Sequence, residues 1–400
     1  MPSLSKVGSE MLDGALPAIS GASLTNLDAR DLENALPAIS GASLTGIDGG
    51  DKRNFIIDGD FTQWPQGTAA RTIANAYGPA LMYLQKDGDG TATIERSTSV
   101  PTFAQSGYSS KHSMLIKCTG TDASVAAGAY KECSFRMSGT DFNFLKGKEV
   151  TVSFWAKTAA ANSGDVYCYQ VNKTGTAWAY LHEFTATSSW QKFTHTFTMD
   201  SVATADDETG YVYFGFGLGS TGSTYQGTNN TWNSGWKVGT SGMNNFFDST
   251  SNELYISQHM VTLGSSAPSA FISPPLATVK DQVGYYVEEL LEHQGAGGAT
   301  ARMMGSGFFN DTDSFWISIH YTSKKRKVPV ITYGSTMTHY SVTWENNANY
   351  AEAFNQVTHI SKVACAIHAE LDNTGATHGG YGALLHAINT AAFFLVDARH

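Results

Sequence analysis

Charge is scarce in this sequence: Asp, Glu, Lys and Arg make up 15% of 400 residues, where a soluble domain carries about a quarter. The 25 basic residues are outnumbered by 35 acidic ones, for a net charge of −10. No row of phosphates can be neutralised on that balance, so nucleic acid is not an expected partner. Long apolar runs are missing too. No stretch reaches the length of a membrane-spanning helix, roughly 18 residues, and no apolar segment follows Met1-Pro2-Ser3-Leu4-Ser5-Lys6. Neither a membrane span nor a secretory leader is therefore expected. Cysteine is limited to Cys118, Cys133, Cys168 and Cys365, without a C-x-x-C spacing; buried free thiols are favoured over a disulfide or metal framework.

Catalytic signatures are equally absent. The chain has no nucleophile elbow, P-loop, dinucleotide-binding glycine fingerprint or paired-His zinc motif. No catalytic residue, cofactor or metal ligand is nominated. The glycine-rich Gly217-Leu218-Gly219-Ser220-Thr221-Gly222 reads as turns. Lys86-Asp87-Gly88-Asp89-Gly90 opens like a calcium loop but lacks the closing Glu, so a turn is favoured. Asp206-Asp207-Glu208 reads as a solvated loop. His359, His368, His378, His386 and His400 crowd the end of the chain with no i, i+2 or i, i+4 pair among them. Lys324-Lys325-Arg326-Lys327 reads as a charged turn ahead of a strand.

What the chain does have is glycine, 40 residues, and a 42% hydrophobic share, the mark of a folded, turn-rich protein long enough for two or three domains of roughly 150 residues. An internal repeat comes first. Ala15-Leu16-Pro17-Ala18-Ile19-Ser20-Gly21-Ala22-Ser23-Leu24-Thr25 recurs unchanged as Ala35 to Thr45. Pro and Gly punctuate isolated apolar positions, Leu16, Ile19, Leu24 and Leu36, Ile39, Leu44, which one chain cannot bury alone. Self-association through these six side chains, as a stalk or attachment arm over residues 1–50, covers them; a flexible linker is the alternative.

From about 51 to 275 short β-branched and aromatic segments alternate with Gly, Asn, Asp, Ser and Thr. Strands are predicted at 93–95, 113–117, 149–157, 166–171, 178–184, 192–199, 211–218 and 253–263, which suits an antiparallel sandwich of jelly-roll type. After Pro274-Pro275 a third, β-rich region runs from 276 to 400, with strands expected at 315–321, 328–333, 339–344, 363–371 and 391–397. Tyr285 to His293 is read as strand, with a short helix as the alternative. The fold class is all-β throughout.

Aromatic residues spaced two apart share a strand face: Tyr167 with Tyr169, Trp178 with Tyr180 and His182, and Tyr211 with Tyr213. Rings presented together can stack on sugars, and their polar rims add hydrogen bonds; filling the inter-sheet core is the competing role. Val212, Phe214, Phe216 and Leu218 form a core-like opposite face. Trp232 and Trp236 lie in an Asn/Gly/Ser-rich segment, where exposed indoles call for a contact. These nine residues are the glycan-contact candidates.

Asn54-Phe55-Ile56-Ile57-Asp58-Gly59-Asp60-Phe61, with Trp64 and Gly67, resembles the opening motif of a carbohydrate-binding-module-like jelly roll found in bacteriophage tail fibres and related appendages. Leu145 to Lys157 is similar to a strand of that family, Trp190-Gln191-Lys192-Phe193-Thr194 to its turn and strand, and Val283-Gly284-Tyr285-Tyr286 to the segment leading to its distal domain. Ala80-Leu81-Met82 and Met260-Val261-Thr262-Leu263-Gly264 depart from it, and the lost acidic residues weaken a calcium inference near Asp58 and Asp60. The resemblance implies a non-enzymatic virion protein: a homotrimeric tail fibre-type appendage joined to other virion proteins through its N-terminal arm and adhering to host-surface glycan. A capsid head fibre or decoration protein has the same architecture. A glycan-degrading fibre would need two carboxylates roughly 5 to 9 Å apart, and a module serving a cellular hydrolase would need a catalytic partner.

Overall fold

The structure is a computed structural model that describes residues 53–73, 75–174, 178–202, 211–290, 302–310, 314–344, 347–371, 382–388 and 392–399. The chain divides into Met1–Gly49 and Gly50–His400, and every described residue belongs to the second unit. The repeat positions Leu16, Ile19, Leu24, Leu36, Ile39 and Leu44 lie outside the described residues, as do Asp206-Asp207-Glu208, His378 and His400.

Two antiparallel sheets face each other across a common core. One runs in the order Arg71–Ile73, Thr91–Ser97, Ser113–Gly120, Glu253–Leu263, Glu149–Thr158, Gln191–Thr198; the other runs Trp232–Ser234, Trp178–Thr185, Val166–Lys173, Tyr211–Ser220, Tyr130–Ser138, Met82–Lys86, Ala76–Tyr77. Strands adjacent in sequence often lie in different sheets, as in a jelly roll. The turn at 87–90 makes one such crossing, with Gly88 and Gly90 at positive φ and Lys86 Nζ donating to their carbonyls. The core between the sheets is aromatic. Phe154 packs against the rings of Tyr169, Phe184, Phe193 and Phe216 at 5.0 to 5.5 Å. Val212, Phe214, Phe216 and Leu218 are all fully buried there, and the four cysteines are buried free thiols.

The opening segment is a built-in fastener for this sandwich. Asn54 Oδ1 accepts from the amides of Ile56 and Val261, and its Nδ2 donates to the His259 carbonyl. Asp58, at φ 56°, turns the chain and accepts from Thr62 and Gln63. Gly59 follows because a Cβ there would strike the His259 carbonyl. That carbonyl sits at a bulge in Glu253–Leu263, where the register shifts between Ser257 and Met260 and Gln258 takes φ 53°.

Beyond the sandwich, Leu276–Tyr286 is helical and strand Val287–Glu289 follows, correcting the strand expected from Tyr285. Pro275 caps the helix start, and Val279, Val283 and Tyr286 recur at helical spacing on its buried side. Val287–Glu289, Phe394–Asp397 and Val330–Tyr333 form a small sheet. Arg302–Phe309, Ser314–His320, Ala364–Leu371, Asn347–Thr358, Tyr340–Trp344 and Gly382–Ala387 close into a barrel around Phe309, Ile317, Tyr340, Ile367 and Leu385. Among the described residues, no helix is long and apolar enough to cross a membrane.

Candidate functional site

Pairing register decides which aromatic residues face outward. Tyr169 lies opposite Phe216, so Tyr167 and Tyr169 turn inward; each is 1% exposed, and Tyr169 Oη meets His259 Nε2 at 2.8 Å. This corrects their assignment as glycan contacts: they fill the inter-sheet core. Tyr213 lies opposite Asn172 on one side and Arg136 on the other, on the outer face, where Trp236 and Arg136 cover its ring and leave it buried. Tyr211 shares that face but is covered by the C-terminal region. Arg326 donates to its hydroxyl and stacks 4.8 Å from its ring, so Tyr211 is also withdrawn from contact with a ligand.

The outer face near Tyr213 is built from strands Met82–Lys86, Tyr130–Ser138, Val166–Lys173 and Tyr211–Ser220. Tyr83 pairs with Ser134, and Gln85 with Glu132, on the same side. The segment at 236–238 crosses this face. Asn172 bonds Lys237 at both backbone atoms, the Val238 carbonyl rests on Gly217, and the Trp236 indole meets the Tyr213 ring edge-on at 4.8 Å. Gly217 is obligatory here because any side chain would displace that segment.

Arg136 stands at the centre. Its guanidinium carbon is 3.6 Å from the centre of the Tyr83 ring and 5.0 Å from that of Tyr213. One nitrogen donates to Gln85 Oε1 at 3.2 Å; Nε has no partner, and neither has the buried Nε1 of Trp236. Glu132 accepts from Gln170, and burial pushes its carboxyl up to about 7 despite the Arg136 charge. Tyr83, Gln85 and Trp236 are half-exposed around this group. Further along, Tyr77 stacks edge-on with Tyr83, and the Arg399 guanidinium covers Tyr77 at 3.8 Å while chelating the Asp397 carboxylate.

Tyr180, His182 and Trp232 meet elsewhere, toward the edge strands of the two sheets, where Tyr180 is buried in the core and His182 and Trp232 are half-exposed. The Tyr180 and Trp232 rings are 5.5 Å apart, His182 stacks on His195 at 3.6 Å, and Tyr180 Oη bonds His195 Nε2 at 2.9 Å. Burial, and then the neighbouring His182, lowers His195 to about 4. Trp178 is half-exposed one pair further along that strand. The nine candidates thus divide among the core, a covered face, an outer face and an edge.

Two residues of the outer face are not legible as site residues. Arg136 and Glu132 lie on Tyr130–Ser138, a strand not expected from the sequence. The alternation of Cys133, Phe135 and Met137 with polar neighbours is the available signal. The charged turn at 324–327 also requires correction: Lys325 and Arg326 are buried, the former paired with Glu288 at 3.0 Å. The 217–220 stretch belongs to a strand rather than a turn.

Residues 136–224 match the family described as "Carbohydrate binding domain", less than a quarter of the chain. That segment contains Arg136 and Tyr213. No curated protein matches the chain. Among solved structures, the enzymatically active domain of bacteriophage CBA120 tailspike protein 4 is 11% identical with a TM-score of 0.27; the match covers 46% of this chain but spans only 19% of that one. The family 22 carbohydrate-binding module of Clostridium thermocellum Xyn10B is 13% identical over 46% of this chain and 88% of its own, with a TM-score of 0.27. TmCBM61, solved with β-1,4-galactotriose, is 11% identical over 53% and 99%, with a TM-score of 0.25.

Proposed function

We propose that this protein is a non-enzymatic, glycan-binding structural protein of a phage particle, a homotrimeric tail fibre-type appendage. The observation that carries the glycan reading is the outer face where half-exposed Tyr83, Gln85 and Trp236 surround the buried Arg136 and Tyr213, the last two inside the carbohydrate-binding match. The half-exposed rings of Tyr83 and Trp236 suit a sugar face, and the Gln85 amide beside them suits its hydroxyls. The virion and fibre reading is supported by the resemblance of the 54–67 and 145–157 motifs to phage appendage proteins, and self-association by the duplicated apolar segment at 15–45. Several weak sites per trimer multiply through effective concentration, which suits adhesion. Affinity electrophoresis of the full chain in gels containing bacterial and plant polysaccharides tests the binding, and sedimentation equilibrium tests the assembly. Retardation by a polysaccharide and a mass three times 42.9 kDa support the reading. Failure to bind any glycan refutes the first part, and a monomer at all concentrations refutes the second.

A further inference from the structure

Among the described residues, four of the other buried cations meet carboxylates, while the fifth, Arg326, donates to the Tyr211 hydroxyl. Lys131 meets Asp122 at 2.5 Å, Lys325 meets Glu288 at 3.0 Å, Arg399 meets Asp397 at 2.7 Å, and Lys173 meets Asp200. Arg136 differs from those four. It is only 9% exposed, yet among the described residues no carboxylate lies within 4.0 Å of it, its one hydrogen bond goes to a neutral amide, and Nε is unpartnered. A guanidinium taken out of water without a counter-ion is costly, and a planar fork of donors is matched by a carboxylate or sulfate. Arg326 and Arg399, the latter paired with Asp397, sit over Tyr211 and Tyr77 of this sheet face. Glu132, the neighbouring carboxyl on the face, accepts from Gln170 through one oxygen and has no hydrogen-bond partner at the other; burial favours its neutral form against the pull of the Arg136 charge.

The geometry points to an acidic glycan as the ligand of this face, with a sugar carboxylate or sulfate seated on Arg136 between Tyr83 and Trp236. This rests on the reading that the face binds glycan and specifies which class. The rings take the sugar and the guanidinium takes its charge, so a neutral polymer would leave Arg136 as it stands, desolvated and with no carboxylate in contact.

Matched polymers differing only in charge test this on the full chain. Polygalacturonate is compared with its carboxyl-reduced form, and chondroitin sulfate with its desulfated form, by isothermal titration in low salt. The expected result is at least tenfold tighter binding to an acidic member than to its matched neutral form, the two series distinguishing carboxylate from sulfate. Arg136→Gln should abolish the preference, and Arg136→Lys should keep part of it, with near-ultraviolet circular dichroism establishing that each variant is folded. Equal binding of matched forms, or preference for neutral ones, overturns the inference while leaving glycan binding intact. Preference for the acidic form that survives Arg136→Gln in a folded variant overturns the assignment to Arg136. No binding to any polymer overturns both readings.

Discussion

Protonating His259 should unfold the sandwich, and the structure sets the size and pH window of the effect. The ring is fully buried among Phe154, Tyr169 and Phe216, its Nε2 bonded to Tyr169 Oη, and Nδ1 has no partner. Burial lowers its pKa from 6.5 to about 3. The unfolded chain therefore takes up a proton near pH 6.5 that the folded chain refuses until about pH 3, and stability must rise with pH across that window and be complete above it. At about 1.4 kcal/mol for each pH unit crossed, the whole window is worth on the order of 5 kcal/mol. Asp58 and Asp60, both raised to about 7 by burial, act in the opposite sense from about pH 4 to 7, so the histidine must be isolated by difference. His259→Phe removes the titration and loses the bond to Tyr169, a cost of roughly 1–3 kcal/mol at neutral pH. Urea unfolding of both proteins between pH 8 and 4, followed by tryptophan fluorescence, should give stability curves that close on each other below pH 6.5 by about 1.4 kcal/mol per pH unit and cross before pH 4. Curves that stay parallel would refute the argument.

Other consequences follow from the same contacts. Gly59→Ala drives a methyl group into the His259 carbonyl and should lower the melting temperature by well over 5 °C, measured by calorimetry; an unchanged transition would mean the 54–61 turn does not pack as described. Phe154→Ala removes a ring at the centre of the aromatic core and should cost about 3–5 kcal/mol in urea unfolding; a loss below 1 kcal/mol would place that core elsewhere. Arg399→Ala frees the Asp397 carboxylate and uncovers Tyr77. It should speed proteolytic cleavage between the sandwich and the C-terminal strands, whereas an unchanged digestion pattern would show that the arginine does not fasten them.

Much of the architecture is legible in the sequence because alternation and β-branched content mark strands whichever face they bury. Tyr130–Ser138 escapes that reading because Lys131, Glu132, Ser134 and Arg136 interrupt it with polar side chains. Those residues are tolerated inside only through partners such as Asp122, Gln170 and Tyr83, which lie far away in sequence. The helix at Leu276–Tyr286 is obscured because nine residues from Tyr285 onward straddle its end and the following strand. For the candidate site, spacing two apart tells which rings share a face but not which face. Val166–Lys173 and Tyr211–Ser220 are buried on both sides, so only the register, Tyr169 opposite Phe216 and Tyr213 opposite Arg136, separates the inter-sheet core from the covered opposite face. The covering of Tyr211 by Arg326 joins residues 115 apart and has no local signature at all.

The central claim is that glycan is held on the outer face rather than toward the edge strands of the two sheets. The most direct measurement is the affinity of the full chain for its best-retained polysaccharide, set beside Trp236→Ala on the face and Trp232→Ala at the edge. Losing a stacking indole typically costs about 2 kcal/mol or more, some thirtyfold in affinity. Such a loss for Trp236→Ala, with Trp232→Ala binding as the unaltered protein does, is the result predicted. Retained affinity in folded Trp236→Ala, or a loss confined to Trp232→Ala, would contradict it.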